Sequence, residues 1–227
     1  SNIKTQNKMD NFHKLIEGFH NFKQTYFLKE RQYFESLEKA QNPKTLVVAC
    51  CDSRVDPAIL LHCKLGDLFV IRNVAALVPA VTQASNPCSV MSAIEYGVKH
   101  LNVEHIVVMG HSHCGGIHGL MAPESIAGET YIQDWVGIAS PALERLQAMT
   151  GDEDEKTRSR HCEEGAVLIS LDNLLSYPWI AERVKNGQLK LHALYYDLSE
   201  GNLYRFSPES EDFELLFHSE KIDVCDR

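Results

Sequence analysis

Two clusters of metal-ligating and ionisable side chains each follow a run of apolar β-formers. Thr45-Leu46-Val47-Val48-Ala49 leads into Cys50-Cys51-Asp52-Ser53-Arg54, and Ile106-Val107-Val108-Met109-Gly110 leads into His111-Ser112-His113-Cys114-Gly115-Gly116. Such runs predict short strands buried on both faces, with polar tails emerging at the strands' carboxyl ends. In open α/β sheets that edge is where ligands bind. Two thiols, Cys50 and Cys114, converging there with the His111 imidazole predict a zinc site, one ion per chain. The spacing His111-x-x-Cys114 lets both side chains reach one ion from a single turn. The glycines that follow let that turn tighten against a helix amino terminus, which favours Cys114 as the thiolate.

Alone, His-x-x-Cys is a weak pattern, most often a buried cysteine near an ordinary histidine. The second cluster at a second strand end is what strengthens it. A purely structural zinc would fill all four positions with Cys or His. Three such ligands plus an acid fit a catalytic site with an open or exchangeable position. Asp52 either fills that position or hydrogen-bonds to a zinc-bound water. Arg54, two residues on, lies on the same side of an extended chain, so a bidentate ion pair would keep Asp52 ionised and acceptor-only. The plainer reading of Asp52-x-Arg54 is a local structural salt bridge. Two thiolates cancel the charge of zinc, so its water is less acidic than on a three-histidine site, and Asp52 helps compensate. The chemistry implied is attack of zinc hydroxide on a small electrophilic carbon.

The elements that must position these groups alternate. After the strand ending at Cys50, Asp56-Pro57 starts a short helix. Asp67 to Ile71 reads as a second strand ending at Arg72-Asn73, and Asn86-Pro87 opens a helix running to His100. His105 to Gly110 is a third strand, and Gly115-Gly116 opens another helix. Tyr131 to Met149 is an amphipathic helix, Gly151 to Thr157 an acidic loop, Cys162 to Leu175 a helix, and Pro178 starts one more. Leu189 to Asp197 and Asn202 to Phe206 form a hairpin turning at Glu200-Gly201. The fold class is therefore α/β: a central, mostly parallel sheet flanked by helices, with an amino-terminal helical arm. The chain reads as a single domain over residues 1–227, made of the arm (3–40), the zinc-binding body (41–206) and a carboxyl-terminal tail (207–227). Within the arm, Phe12, Leu15, Phe19, Phe22, Tyr26, Tyr33 and Leu37 recur at helical steps. That is more apolar surface than a solvated helix needs, so the arm packs on its own domain or embraces a partner subunit.

Composition narrows the class. With 227 residues, 44% of them hydrophobic, the chain can bury a substantial core, and no apolar run approaches a membrane span. A net charge of −9 without any Lys/Arg cluster argues against a nucleic-acid partner. Seven cysteines, an odd number without framework spacing, suggest a reducing compartment, with the cytoplasm the expected location. Cys63, Cys88, Cys162 and Cys225 read as small apolar or surface side chains.

These residues resemble the β-class carbonic anhydrases, whose hallmarks are Cys-x-Asp-x-Arg followed by His-x-x-Cys. The match extends to Gln41-Asn42-Pro43-Lys44, which looks like the plant-type branch, and to Phe69-Val70-Ile71-Arg72-Asn73-Val74-Ala75. Ile94-Glu95-Tyr96, His161-Cys162-Glu163 and Leu174-Leu175-Ser176-Tyr177-Pro178 are similar too, so that the resemblance covers roughly residues 30 to 205. It implies zinc-dependent reversible hydration of carbon dioxide to bicarbonate. The zinc ligands would be Cys50, His111 and Cys114, with Asp52 and Arg54 as the catalytic dyad. Gln41, Phe69, Val74 and Tyr96 match pocket residues for carbon dioxide and bicarbonate, in a pocket the family builds at a dimer interface. A homodimer or dimer of dimers is thus implied, with four strands of the sheet parallel. Tyr96 and His100, one helical turn apart, either form a solvated helix face or, as the resemblance to plant-type relatives implies, let His100 relay protons between a zinc-bound water and solvent. Two departures stand out: Cys51 where the family commonly has Ser, and Ala76 where it usually has Asn. Val47 stands where one branch has a Trp that helps form a regulatory bicarbonate pocket, so Asp52 is expected to stay paired with Arg54. Two rival functions remain, hydrolysis of carbonyl sulfide or carbon disulfide on the same scaffold, and a non-catalytic zinc-binding redox sensor with Cys51 as the responsive thiol.

Overall fold

The structure, a computed structural model, describes residues 10–149 and 151–216, so Cys225 and the end of the expected tail lie outside the described residues. The chain divides into two compact units, Ser1–Asn42 and Pro43–Arg227. In the first, α1 (Asn11–Phe22) passes through a five-residue π-helical turn, Lys23–Phe27, towards α2 (Arg31–Lys39). Asp10 caps α1 by accepting from the His13 amide at 3.0 Å. Phe34 of α2 packs against Phe22, Tyr26 and Phe27 with ring centroids 5.8, 5.0 and 4.9 Å away. Phe12, Leu15, Ile16 and Phe19, one face of α1, stay exposed.

The second unit runs β1 (Thr45–Cys50), α3 (Pro57–Leu60), β2 (Leu68–Asn73), α4 (Ser89–Lys99), β3 (His105–His111) and α5 (Gly115–Met121). It continues with α6 (Thr130–Val136), α7 (Ser140–Ala148), α8 (Glu155–Leu175), α9 (Pro178–Lys185), β4 (Lys190–Asp197), β5 (Asn202–Ser207) and β6 (Asp212–Leu215). The strands form one sheet in the order β2-β1-β3-β4-β5-β6. The first four are parallel, and β5 and β6 are added antiparallel. From β1 the chain moves outward to β2, then returns to the other side of β1 to begin β3. Strand order therefore reverses between β1 and β3, which opens a crevice at their carboxyl ends. Cys50 and His111 end those two strands.

Both faces of β1 are covered, as a central parallel strand requires. Leu46, Val48, Ile106 and Val108 pack on one side with Ile94, Leu174 and Ile180, and Val47, Ala49, Val107 and Met109 form a cluster of their own. Gly110 lets β3 approach α8 closely, since a Cβ there would lie 2.4 Å from Val167 Cγ2. Gly110→Ala is expected to destabilise the fold by about 1–3 kcal/mol through overpacking. At roughly 2–4 °C per kcal/mol for a chain of this size, thermal unfolding reads the effect directly. An unchanged midpoint would show that Val167 moves aside without cost.

Several elements differ from the sequence expectation. The helix expected over 131–149 is two helices, α6 and α7, joined by a 3-10 turn at Gly137–Ala139, with Pro141 in the first turn of α7. The acidic loop expected to run to Thr157 ends at Asp154, whose carboxylate caps α8 by accepting from the Thr157 amide at 2.8 Å. Asn86-Pro87 precedes α4 rather than opening it, and the segment assigned to the tail contributes β6. β2 ends at Asn73 as expected, so Arg72 lies inside the ladder, opposite Ala49.

Candidate metal centre

Cys50 at the end of β1, His111 at the end of β3 and Cys114 just before α5 are all buried, with their ligand atoms within 4.8 Å of one another. His111 Nδ1 lies 2.8 Å from the Ser112 carbonyl oxygen. A carbonyl only accepts, so Nδ1 carries the proton and Nε2 presents its lone pair. That Nε2 is buried without a hydrogen-bond partner. An orphaned imidazole nitrogen facing two thiols is a donor set that fits zinc.

The thiols are coupled. The hydrogen bond from the Cys114 thiol, above all, pulls the Cys50 thiol well below its ordinary range. The same bond, with burial, pushes Cys114 upward. Without a cation the two sulfurs thus share one proton, and a bound cation is what would let both ionise. Backbone amides already point at them: the Asp52 and Ala75 N–H groups each lie 3.4 Å from Cys50 Sγ, and the amides of Gly116 and Ile117 favour the ionised Cys114.

Ala75 reaches Cys50 because the backbone turns left-handed there, with φ 66° at Ala75 and 53° at Ala76. Two successive non-glycine residues in that region cost about 1–2 kcal/mol each. The turn is held by Asn73, whose side chain donates to the Leu77 carbonyl at 2.9 Å and accepts from the Leu77 amide at 2.8 Å. Trp135 Nε1 donates to the Val74 carbonyl at 2.7 Å. Asn visits left-handed backbone more readily than Ala, which gives a physical meaning to the departure at Ala76.

Beside the cluster, Arg54 donates from Nε to Asp52 Oδ1 at 2.9 Å and from Nη2 to Oδ2 at 2.7 Å. Its own amide donates to Oδ1 at 3.0 Å, and Nη2 also reaches the His113 carbonyl at 3.2 Å. One guanidinium thereby ties the two clusters together. The Arg54 hydrogen bonds are the main cause holding the Asp52 carboxyl well below the usual carboxylate range, and they raise Arg54 in turn. A depressed carboxyl stabilises the fold above its unfolded pKa, and that contribution fades only as pH falls through the lower, folded value. The pair therefore survives acidity that protonates ordinary carboxylates. Asp52 Oδ2 lies 3.9 Å from His111 Nε2, too far for a hydrogen bond.

Two residues around the cluster have no role that the sequence pattern reveals. Buried Glu163 of α8 accepts from the Cys114 amide at 3.2 Å and from the Tyr195 hydroxyl at 2.7 Å; burial pushes its carboxyl up. Arg72 of β2 binds the turn that follows Cys50. Both stand in segments that resemble the β class, but their spacing from the ligands gives no hint of contact.

The proposed pocket residues are divided. Val74 borders the cluster, where a Cβ on Gly116 would meet its Cγ1 at 2.6 Å. Phe69, Tyr96 and His100 form a separate stack, with centroids 6.1 and 5.1 Å apart in succession. Phe69 pairs with Leu46 whereas Asn73 pairs with Cys50. Four residues at ~3.3 Å each put the Phe69 backbone about 13 Å from the cluster's end of the strand. Gln41 belongs to the first unit. A cavity of about 520 Å³ opens behind Cys114, bounded by His113, Ile117, His118, Arg160 and Tyr195, and neither the dyad nor the proposed pocket residues line it. Cys51 is exposed, and its amide continues the ladder to the Asn73 carbonyl at 2.8 Å.

Comparison with known proteins agrees with this geometry. A match to the carbonic anhydrase family spans residues 45–203. Beta carbonic anhydrase 3 of Arabidopsis thaliana is 41% identical over 198 residues, which cover 86% of this chain and 76% of that protein. The structure of the β-carbonic anhydrase CcaA superposes with a TM-score of 0.87 at 31% identity, covering 91% of this chain and all of that one. A tetrameric β-carbonic anhydrase of Sordaria macrospora gives a TM-score of 0.74 at 29% identity, covering 86% of this chain and 96% of that one. On the extent of these matches and the Cys50, His111 and Cys114 cluster they enclose, the chain belongs to the carbonic anhydrase family, in the plant-type branch of its β class.

Proposed function

We propose that this protein catalyses the reversible hydration of carbon dioxide to bicarbonate and a proton, with zinc held by Cys50, His111 and Cys114. Family membership makes it a carbonate dehydratase. The observation that carries the specific reading is the Arg54-locked Asp52 carboxylate beside a buried Cys/His/Cys cluster whose His111 Nε2 has no partner. Zinc bound there would activate water as a nucleophile at neutral pH. Asp52, ionised and acceptor-only, takes a hydrogen bond from a reacting oxygen that still carries its proton. It thereby orients that oxygen and favours bicarbonate over anions without a proton. Arg54 keeps Asp52 from rotating, and the amides of Asp52 and Ala75 support the Cys50 sulfur. The intact dyad weighs against a non-catalytic redox role. The six described cysteines are free thiols, which supports a reducing, cytosolic setting.

The carbon dioxide pocket needs a second copy of the chain. The Phe69/Tyr96/His100 stack lies away from the cluster of its own subunit, and Tyr96 is half exposed, so these residues serve the partner's centre. His100 then stands where a proton could pass to solvent. The exposed apolar face of α1 supports such an assembly, as does the tetrameric state of the Sordaria relative. Light scattering is expected to show at least a dimer, with an interface above ~1,000 Å². A strictly monomeric, fully active species would remove this part of the proposal. The function itself is tested by stopped-flow carbon dioxide hydration with zinc-loaded protein. No rate above that of the zinc-free protein would overturn it.

A further inference from the structure

Beyond Asp56 the chain enters α3, and between Cys50 and Asp56 it leaves the ladder of β1, so its carbonyls lose strand partners and need other donors. Arg72 supplies them from the neighbouring strand. Its Nε donates to the Cys50 carbonyl at 2.8 Å, and its Nη2 to the carbonyls of Asp52 at 2.7 Å and Val55 at 3.4 Å. Its Nη1 pairs with Asp56 Oδ2 at 3.3 Å. The other oxygen of Asp56 caps α3, accepting from the Ala58 and Ile59 amides at 3.0 and 3.1 Å. A single guanidinium thus spans the whole turn, from a metal-ligand residue to the start of the next helix.

We infer that Arg72 is a positioning residue: by fixing the path of Cys50–Asp56 it sets where the Asp52 carboxylate stands over the Cys50/His111/Cys114 cluster. Arg72 donates to the backbone of Asp52, while Arg54 holds its carboxylate. Backbone and side chain of the same residue are therefore fixed by two different arginines. The four acceptors lie along one planar fork, which a lysine ammonium cannot reproduce. The kinetic consequence rests on the proposed function; the structural one does not.

The test uses the full chain, zinc-loaded, as wild type, Arg72→Lys, Arg72→Ala and Asp56→Asn. Zinc content, kcat, KM and amide hydrogen exchange are measured on each. Arg72→Lys is expected to keep its zinc and lose kcat by about 10–100-fold with KM little changed, as a carboxylate displaced by about 1 Å would produce. Exchange should accelerate at the amides of 51–55 and stay unchanged in α8. Added guanidinium should restore part of the kcat of Arg72→Ala, and Asp56→Asn, which removes only the far anchor, should show a smaller loss in the same direction. Wild-type kcat in Arg72→Lys, exchange that is unchanged at 51–55, or exchange that rises everywhere would each overturn the inference. A wild-type protein without carbon dioxide hydration would refute the proposed function instead, and local exchange would still decide the role of Arg72.

Discussion

Replacing Cys114 by serine is expected to remove zinc and carbon dioxide hydration together. The side chain is almost fully buried at the amino end of α5, and serine is nearly isosteric, so the fold should change little. What changes is the donor. A serine hydroxyl does not ionise near neutral pH and is a poor partner for an ion otherwise held by one sulfur and one imidazole. Loss of an outer partner of a metal ligand costs about 10–100-fold in metal affinity or activity, so loss of the ligand itself should exceed roughly 10³-fold. Metal analysis and stopped-flow rates on the same preparation read both effects. Full activity in a verified zinc-free Cys114→Ser protein would refute the ligand assignment.

Asp52→Asn separates holding the metal from using it. Asp52 is not needed in the ligand set, so zinc should be retained. The amide keeps the shape of the carboxylate but presents N–H groups to the Arg54 fork, where donor meets donor. The bidentate pair breaks, and the acceptor that orients the reacting oxygen is lost. A fall in kcat of about 10²–10⁴-fold is expected, the usual scale for a positioned proton-handling group. The pH profile adds a second check. Since Arg54 holds Asp52 ionised far below neutrality, the acid limb of the wild-type profile belongs to another group, and Asp52→Asn should lower the plateau without moving that limb. An unchanged rate would leave Asp52 a structural role only.

The strands and the convergence of Cys50, His111 and Cys114 were legible in the sequence because both depend on local pattern. A fully apolar run such as Leu46–Ala49 has no surface to spare for solvent, so a central parallel strand was its natural reading, and Cys50 and His111 followed at the two strand ends. Asp52 and Arg54 were legible for the same reason, lying two residues apart. What escaped is long-range or conformational. Glu163 reaches Cys114 across 49 residues and Arg72 reaches Cys50 across 22, and no spacing rule connects them. The acidic run before α8 looked like a solvated loop because composition does not distinguish a free carboxylate from a capping one. The break between α6 and α7 was signalled by Gly137 and Pro141, but the apolar periodicity continued across it. Phe69 and Tyr96 are expected as pocket residues only by resemblance, and the structure stacks them on each other, with Phe69 four residues along β2 from the cluster's end, a separation that periodicity does not encode.

The left-handed turn at Ala75 and Ala76 links two positions far apart in the chain. A Cβ on Gly116 would lie 3.0 Å from Ala75 Cβ, so the smallness of one residue depends on the smallness of the other. A larger residue at 75 would have to adopt the same unfavourable backbone while pressing on the first turn of α5. A larger one at 116 would push α5, and Cys114 with it, away from Cys50. Gly116 has no side chain to give up, and a Cβ there would also meet Val74 Cγ1 at 2.6 Å, so no change at 116 makes room for a larger residue at 75. Among relatives that keep this turn, both positions should therefore stay small together rather than trade volume.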